Sequence, residues 1–294
     1  MKVVAPITIA TGSTLISTNV DTALDPAAYA GGTTYALIDR CVVGEIVYES
    51  RQAGNMGHAP AASPDWWRAV GPINKMAMFD RRVGSLTVHP DKILVTIAPG
   101  AVIDTLSLRN LAAGWVSVTQ TDPTDGVVYT ETLDLTEPVG DAWEYAFDPI
   151  ICSPDALFTG FLPYYSSTIT VEIDNTGADA ACGLFVTGLA TEAGAARYDA
   201  SDEIDDYSLV QPDAWGVRDI VERDYADDAE MLVEVQADRS PQFRRLLASR
   251  RAQPTLVILA DHRPDAQYYG LISFRRVFPL PGWDVYALTI KGFT

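Results

Sequence analysis

The chain reads as mainly β with a small α+β part. Short runs of strict apolar and polar alternation through the middle point to strands. The carboxyl end follows a strand–helix–strand–strand–strand order, and a knot of aromatic and turn-forming residues sits near the amino end. Four segments follow: an amino-terminal strand segment (1–24), a small aromatic-rich β module (25–72), an antiparallel β-sandwich or jelly roll (73–190) and a C-terminal α+β assembly domain (191–294).

From Pro6 to Val20, Ile7, Ile9, Leu15 and Ile16 are mixed with Thr and Ser, the pattern of one strand or two short ones. The aromatic segment comes next, and Gly71-Pro72 reads as a hinge on its far side. Beyond it Ile93, Val95 and Ile97 alternate with Leu94, Thr96 and Ala98, up to the turn signal Pro99-Gly100. Leu106 and Leu108 form a second alternating run; Val127, Tyr129, Glu131 and Leu133 form a third. The cleanest is Thr168–Ile173, where Ile169, Val171 and Ile173 share one face. Asp122-Pro123, Asp125-Gly126, Pro163 and Asn175-Thr176-Gly177 punctuate these strands, as in a sandwich.

Residues 191–230 are acidic and less regular. Asp199–Asp206 crowds carboxylates, the donor type that calcium prefers, but it lacks the EF-hand order and its central Gly. A solvated acidic loop is expected there. Met231–Val235 is strand-like, and Ser240-Pro241 opens a helix, with Ser as the N-cap and Pro in the first turn. Phe243, Leu246 and Leu247 fall on one face of it and Arg244, Arg245 and Arg251 elsewhere; Pro254 stops it. Strands at 255–260, 268–278 and 285–290 complete the domain.

Composition narrows the function classes. With 21 Lys and Arg against 39 Asp and Glu the net charge is −18, which repels nucleic-acid phosphates. No apolar run is long enough for membrane insertion, and Met1–Pro6 is unlike a signal peptide, so synthesis in a cytoplasm is expected. Cys41, Cys152 and Cys182 are odd in number and far apart, which favours free thiols over disulfides. His58, His89 and His262 lack metal-ligand spacing, and no P-loop, dinucleotide fingerprint or nucleophile elbow occurs. No metal and no cofactor are expected.

The segment 29–72 carries Tyr29, Tyr35, Ile38-Asp39, Val47-Tyr48-Glu49-Ser50, Asn55, Pro60 and Asp65-Trp66-Trp67. Flat rings on a small rigid β module suit the apolar face of a pyranose. In this order of residues the segment resembles the small chitin-binding type of carbohydrate-binding module, although that family usually has Gly-Asp where this chain has Ile38-Asp39. The resemblance implies ligand contact through Tyr48, Trp66 and Trp67. So short a module must also spend rings on its own packing.

A second resemblance spans more of the chain. Val70-Gly-Pro-Ile-Asn-Lys-Met-Ala-Met-Phe-Asp80, Tyr269-Gly270, the alternating Ile272, Phe274 and Phe278, and Leu288–Thr294 look like structural proteins of tailed bacteriophages. That likeness implies a non-enzymatic virion protein near the distal end of the tail, made in the host cytoplasm. Its implied partners are other tail proteins, copies of itself and bacterial surface polysaccharide. Two alternatives stand beside it. Asp141, Glu144 and Asp148 flank Trp143, Tyr145 and Phe147, the acid-and-ring composition of a polysaccharide-degrading enzyme. The aromatic module could equally serve only as a subunit interface.

Overall fold

The computed structural model describes Met1 to Phe293 except residues 139, 148, 198, 213, 214, 217, 224, 261, 262, 264 and 281 and the side chains of 142, 144, 145, 219, 279 and 280. The strands are β1 (Lys2–Pro6), β2 (Leu15–Thr18), β3 (Arg40–Val43), β4 (Ile46–Ser50), β5 (Trp67–Pro72), β6 (Thr87–Ile97), β7 (Thr105–Ala112), β8 (Trp115–Asp122) and β9 (Gly126–Asp134). They continue as β10 (Ala156–Thr159), β11 (Thr168–Glu192), β12 (Ala195–Ala196), β13 (Ser201–Asp206), β14 (Leu209–Pro212), β15 (Arg218–Val221), β16 (Tyr225–Gln236), β17 (Thr255–Ile258), β18 (Gln267–Leu280) and β19 (Trp283–Gly292). Helices α1 (Asn74–Ala77), α2 (Ala142–Phe147) and α3 (Ser240–Ser249) are short. The protein is mainly β, with large antiparallel sheets.

Strand β11 is the spine. Its first part pairs with β6 on one edge and β8 on the other, and further along β7 replaces β8. Ile169, Val171 and Ile173 are buried as their alternation requires, against a core that includes Ile93, Val95, Ile97, Val116 and Phe158. The Asn175-Thr176-Gly177 turn signal does not end this strand. It forms a bulge: the register with β6 shifts between Asp174 and Asp179, Gly177 takes φ +93°, and its N–H donates to Asp91 Oδ1 at 3.0 Å.

The last residues of β11 pair with β1, and β1 pairs in turn with β17. The amino-terminal strand thus joins the sandwich sheet to the carboxyl-terminal one. Gly188 makes the junction possible, because a Cβ there would lie 2.2 Å from the Ala5 carbonyl oxygen. Beyond β17 come β18, β19 and β16, with α3 packing Phe243 and Leu247 onto Val233, Tyr286 and Leu288. The strand–helix–strand–strand–strand reading holds in every element.

Three local expectations are corrected. Ser240 lies inside α3, and its Oγ shares a 2.7 Å hydrogen bond with Tyr286 OH instead of capping the helix. Gly71-Pro72 is no hinge but the end of edge strand β5, opposite Val47 and Ile46, where a missing N–H is tolerated. The acidic stretch is partly strand: β13 pairs Ser201–Asp206 with Glu230–Tyr225. Its exposed carboxylates are of the kind that discourage stray edge pairing.

Candidate functional site

Strands β3, β4 and β5 form a separate three-stranded antiparallel sheet. Cys41, Tyr48 and Ala69 lie opposite one another, as do Ser50 and Trp67, so these residues share one face. Val42, Val47, Arg40, Glu49 and Arg68 lie on the other face. Val47 belongs to the same core cluster as Val20, Ile73 and Met76, and Val42 packs against that cluster. The back of the module is therefore seated on the sandwich. The backbone N–H of Asn74 also donates to Asp25 Oδ1 at 2.8 Å, tying the two ends of the segment together.

The front face is aromatic. Trp67 is only 2% exposed; its ring meets Tyr35 edge-on at 5.0 Å and Tyr29 at 6.0 Å. Its indole Nε1–H donates to the His58 carbonyl at 2.8 Å, satisfying its one polar group. The expectation that Trp67 offers a face to sugar is thus corrected: this ring is the module's core. Cys41 is buried beside it, which pushes its thiol pKa up.

Tyr48 and Trp66 are only half-buried and pack against that core. Trp66 stacks on His58 with centroids 4.1 Å apart and planes 11° from parallel. Its backbone is held by Asn55, whose buried amide Nδ2 donates to Ser50 Oγ at 2.9 Å and to the Trp66 carbonyl at 3.3 Å. Two backbone hydrogen bonds between Tyr35 and Asn55 add to the clamp. Trp66 and Tyr48 are the two expected site rings that keep some exposure, while the stacking of His58 and the hold of Asn55 on the Trp66 backbone carry no signal in the sequence pattern.

On the opposite face Glu49 receives Arg40 Nε at 3.0 Å and Arg68 Nε at 2.9 Å. The hydrogen bond from Arg40, and then the hydrogen bond and charge of Arg68, hold its carboxyl below the usual carboxylate range. This Arg–Glu–Arg bridge crosses all three strands. The turn before β3 carries Ile38 at φ +77°, in the left-handed region that favours Gly. Asp39 Oδ2 accepts the Ala36 N–H at 2.7 Å and Ser50 O accepts the Ile38 N–H at 2.9 Å, which hold that turn.

The alternative acidic candidates are placed differently. Asp141 Oδ1 accepts the Trp143 N–H at 2.8 Å at the start of α2; Asp148 and the side chain of Glu144 lie outside the described residues. Trp143 is 69% exposed and packs on Phe147 with centroids 4.3 Å apart. His89 Nδ1 lies 2.8 Å from the Pro90 carbonyl, and His262 lies outside the described residues. Among the described residues no three His, Cys, Asp or Glu side chains gather in a metal-holding group, and no helix is long and apolar enough to cross a membrane. Comparison with family models, curated proteins and solved structures finds no match for this chain.

Proposed function

We propose that the chain is a non-enzymatic building block of a phage tail, made in the host cytoplasm, that assembles with copies of itself and with other tail proteins. In this reading the aromatic module touches bacterial surface polysaccharide through Tyr48 and Trp66. One observation carries the glycan part: two half-buried rings rest on a buried Tyr35–Cys41–Trp67 core that cannot itself reach a ligand. The tail assignment rests on the sequence resemblance of Val70–Asp80 and the carboxyl-terminal strands.

The energetics favour such a division of labour. Ring stacking contributes about 1 kcal/mol beyond area burial, so a single module grips weakly. Many copies on one particle raise the effective grip by roughly 10²–10⁴ without a new contact. The test is a pull-down of the full chain on immobilised chitin and bacterial cell-wall polysaccharide. Wild type is retained, whereas Trp66→Ala and Tyr48→Ala are released while melting at nearly the wild-type temperature. Retention unchanged in both variants overturns the glycan role and leaves the module as an interface. Release of reducing ends by the wild type would overturn the non-enzymatic reading.

A further inference from the structure

We infer that His58 is the positioning residue of the aromatic module: its imidazole, stacked on Trp66, holds that ring in one orientation and confines ligand contact to the surface that His58 leaves uncovered. The inference rests on the glycan reading above and names the residue on which the Trp66 platform depends.

The main chain of Trp66 is fixed without His58. Its carbonyl accepts the Arg51 N–H at 2.9 Å and Asn55 Nδ2 at 3.3 Å, and its own N–H donates to the Ser63 carbonyl at 3.0 Å. Just before it, the Pro64 and Asp65 carbonyls accept Arg51 Nη1 and Gln52 Nε2, each at 3.0 Å. All of these bonds end on the backbone. The side-chain torsions of a half-buried indole are left to whatever the ring touches.

His58 is what it touches. The two rings lie 4.1 Å apart and 11° from parallel, so the imidazole covers one face of the indole. Among the described residues no other ring stacks on Trp66. A half-buried imidazole can hold a neighbour only where its own main chain is anchored. The His58 carbonyl supplies that anchor by accepting the Trp67 indole N–H at 2.8 Å, and Trp67 is core. One residue therefore grips both tryptophans, the buried one by its backbone and the half-buried one by its ring. The approach to His58 is shaped by Gly54 at φ +74° and Gly57 at φ +77°, left-handed positions that strain any other residue.

The consequence is preorganisation. A ring that must be ordered on binding takes that cost out of the affinity, whereas a ring already held does not. Ordering one such side chain corresponds to roughly 2- to 12-fold in binding.

Wild type, His58→Ala and His58→Phe, each as the full chain, are compared on immobilised chitin and bacterial cell-wall polysaccharide. Both variants keep the backbone carbonyl that Trp67 uses, so they melt near the wild-type temperature. His58→Ala weakens retention roughly 2- to 12-fold. His58→Phe, which stacks without ring nitrogens, restores it. Acrylamide quenching supplies a readout independent of glycan, taking as the Trp66 signal the fluorescence that Trp66→Ala removes from each background. Trp66 becomes more accessible in His58→Ala and not in His58→Phe. A wild type that neither polysaccharide retains overturns the glycan reading and this inference with it. With wild type retained, four results overturn the inference alone: unchanged retention in His58→Ala, no rescue by His58→Phe, no gain in Trp66 accessibility in His58→Ala, or loss of the fold in both variants.

Discussion

The aromatic module and the β14–β15 arm carry similar kinds of side chain and use them in opposite ways. In the module Trp67, Tyr35 and Cys41 are buried, and Tyr48 and Trp66, packed on them, are half-buried. In the arm Trp215, Ile220 and Val210 are exposed. The difference is one of support. The module has three strands, a buried asparagine clamp and a back face seated on the sandwich, whereas among the described residues the two strands of the arm pair with each other alone. Aromatic richness marks where a chain needs area; the layers beneath decide whether that area is spent on folding or left for a partner.

The sharpest way to break this comparison is to remove one buried and one outward ring. Trp67→Ala should cost about 3–5 kcal/mol of whatever unfolding unit contains the module, read by urea titration. Trp215→Ala should change stability by no more than about 0.5 kcal/mol, as for other exposed positions. Equal losses at the two sites would erase the distinction between core ring and presented ring.

A smaller effect is expected at Ile38. A β-branched residue in the left-handed region costs about 1–2 kcal/mol, and Gly removes that cost while adding about 0.5–1 kcal/mol of its own entropy. Ile38→Gly should therefore stabilise the module slightly, by about 0.5–1 kcal/mol. A lower melting temperature in this variant would mean that the Ile38 side chain packs usefully, despite being 63% exposed.

The least pronounced difference concerns acid. Arg40 and Arg68 hold the Glu49 pKa below its ordinary value in the module, and hydrogen bonds from Ser240 and Arg276 do the same for Asp284 in the body. A carboxyl with a depressed folded pKa adds stability that is complete above about pH 4 and is lost as pH falls through the folded value. Glu49→Gln should flatten the fall in melting temperature on the acid side while leaving the curve above that range parallel to wild type. A steeper fall in the variant would show that the two arginines do not stabilise the ionised form.

Much of the scaffold was legible because period-2 patterns leave little freedom. Ile169, Val171 and Ile173 alternate, and all three are buried. The carboxyl-terminal domain was equally plain, since Phe243 and Leu247 stand one helical turn apart beside strands rich in apolar residues. The 25-residue length of β11 was hidden, because a bulge and a turn share the same Asn and Gly residues. Strand β13 was hidden as well, since its carboxylates face water on both sides and leave no apolar rhythm. Within the site, Trp66 and Trp67 looked alike. The chain enters β5 between them, and neighbouring residues at a strand take different faces, so one ring went inward and the other stayed at the surface.

The measurement that bears most directly on the whole reading compares glycan retention per protomer by assembled and unassembled protein. Assembled and diluted, dissociated wild type carry the same aromatic module, so a ligand-sized fragment should bind both alike. On immobilised polysaccharide the assembly should hold roughly 10²–10⁴ times more strongly, and Trp66→Ala should abolish that gain. Equal retention of assembly and protomer, or a gain that survives Trp66→Ala, would contradict the account.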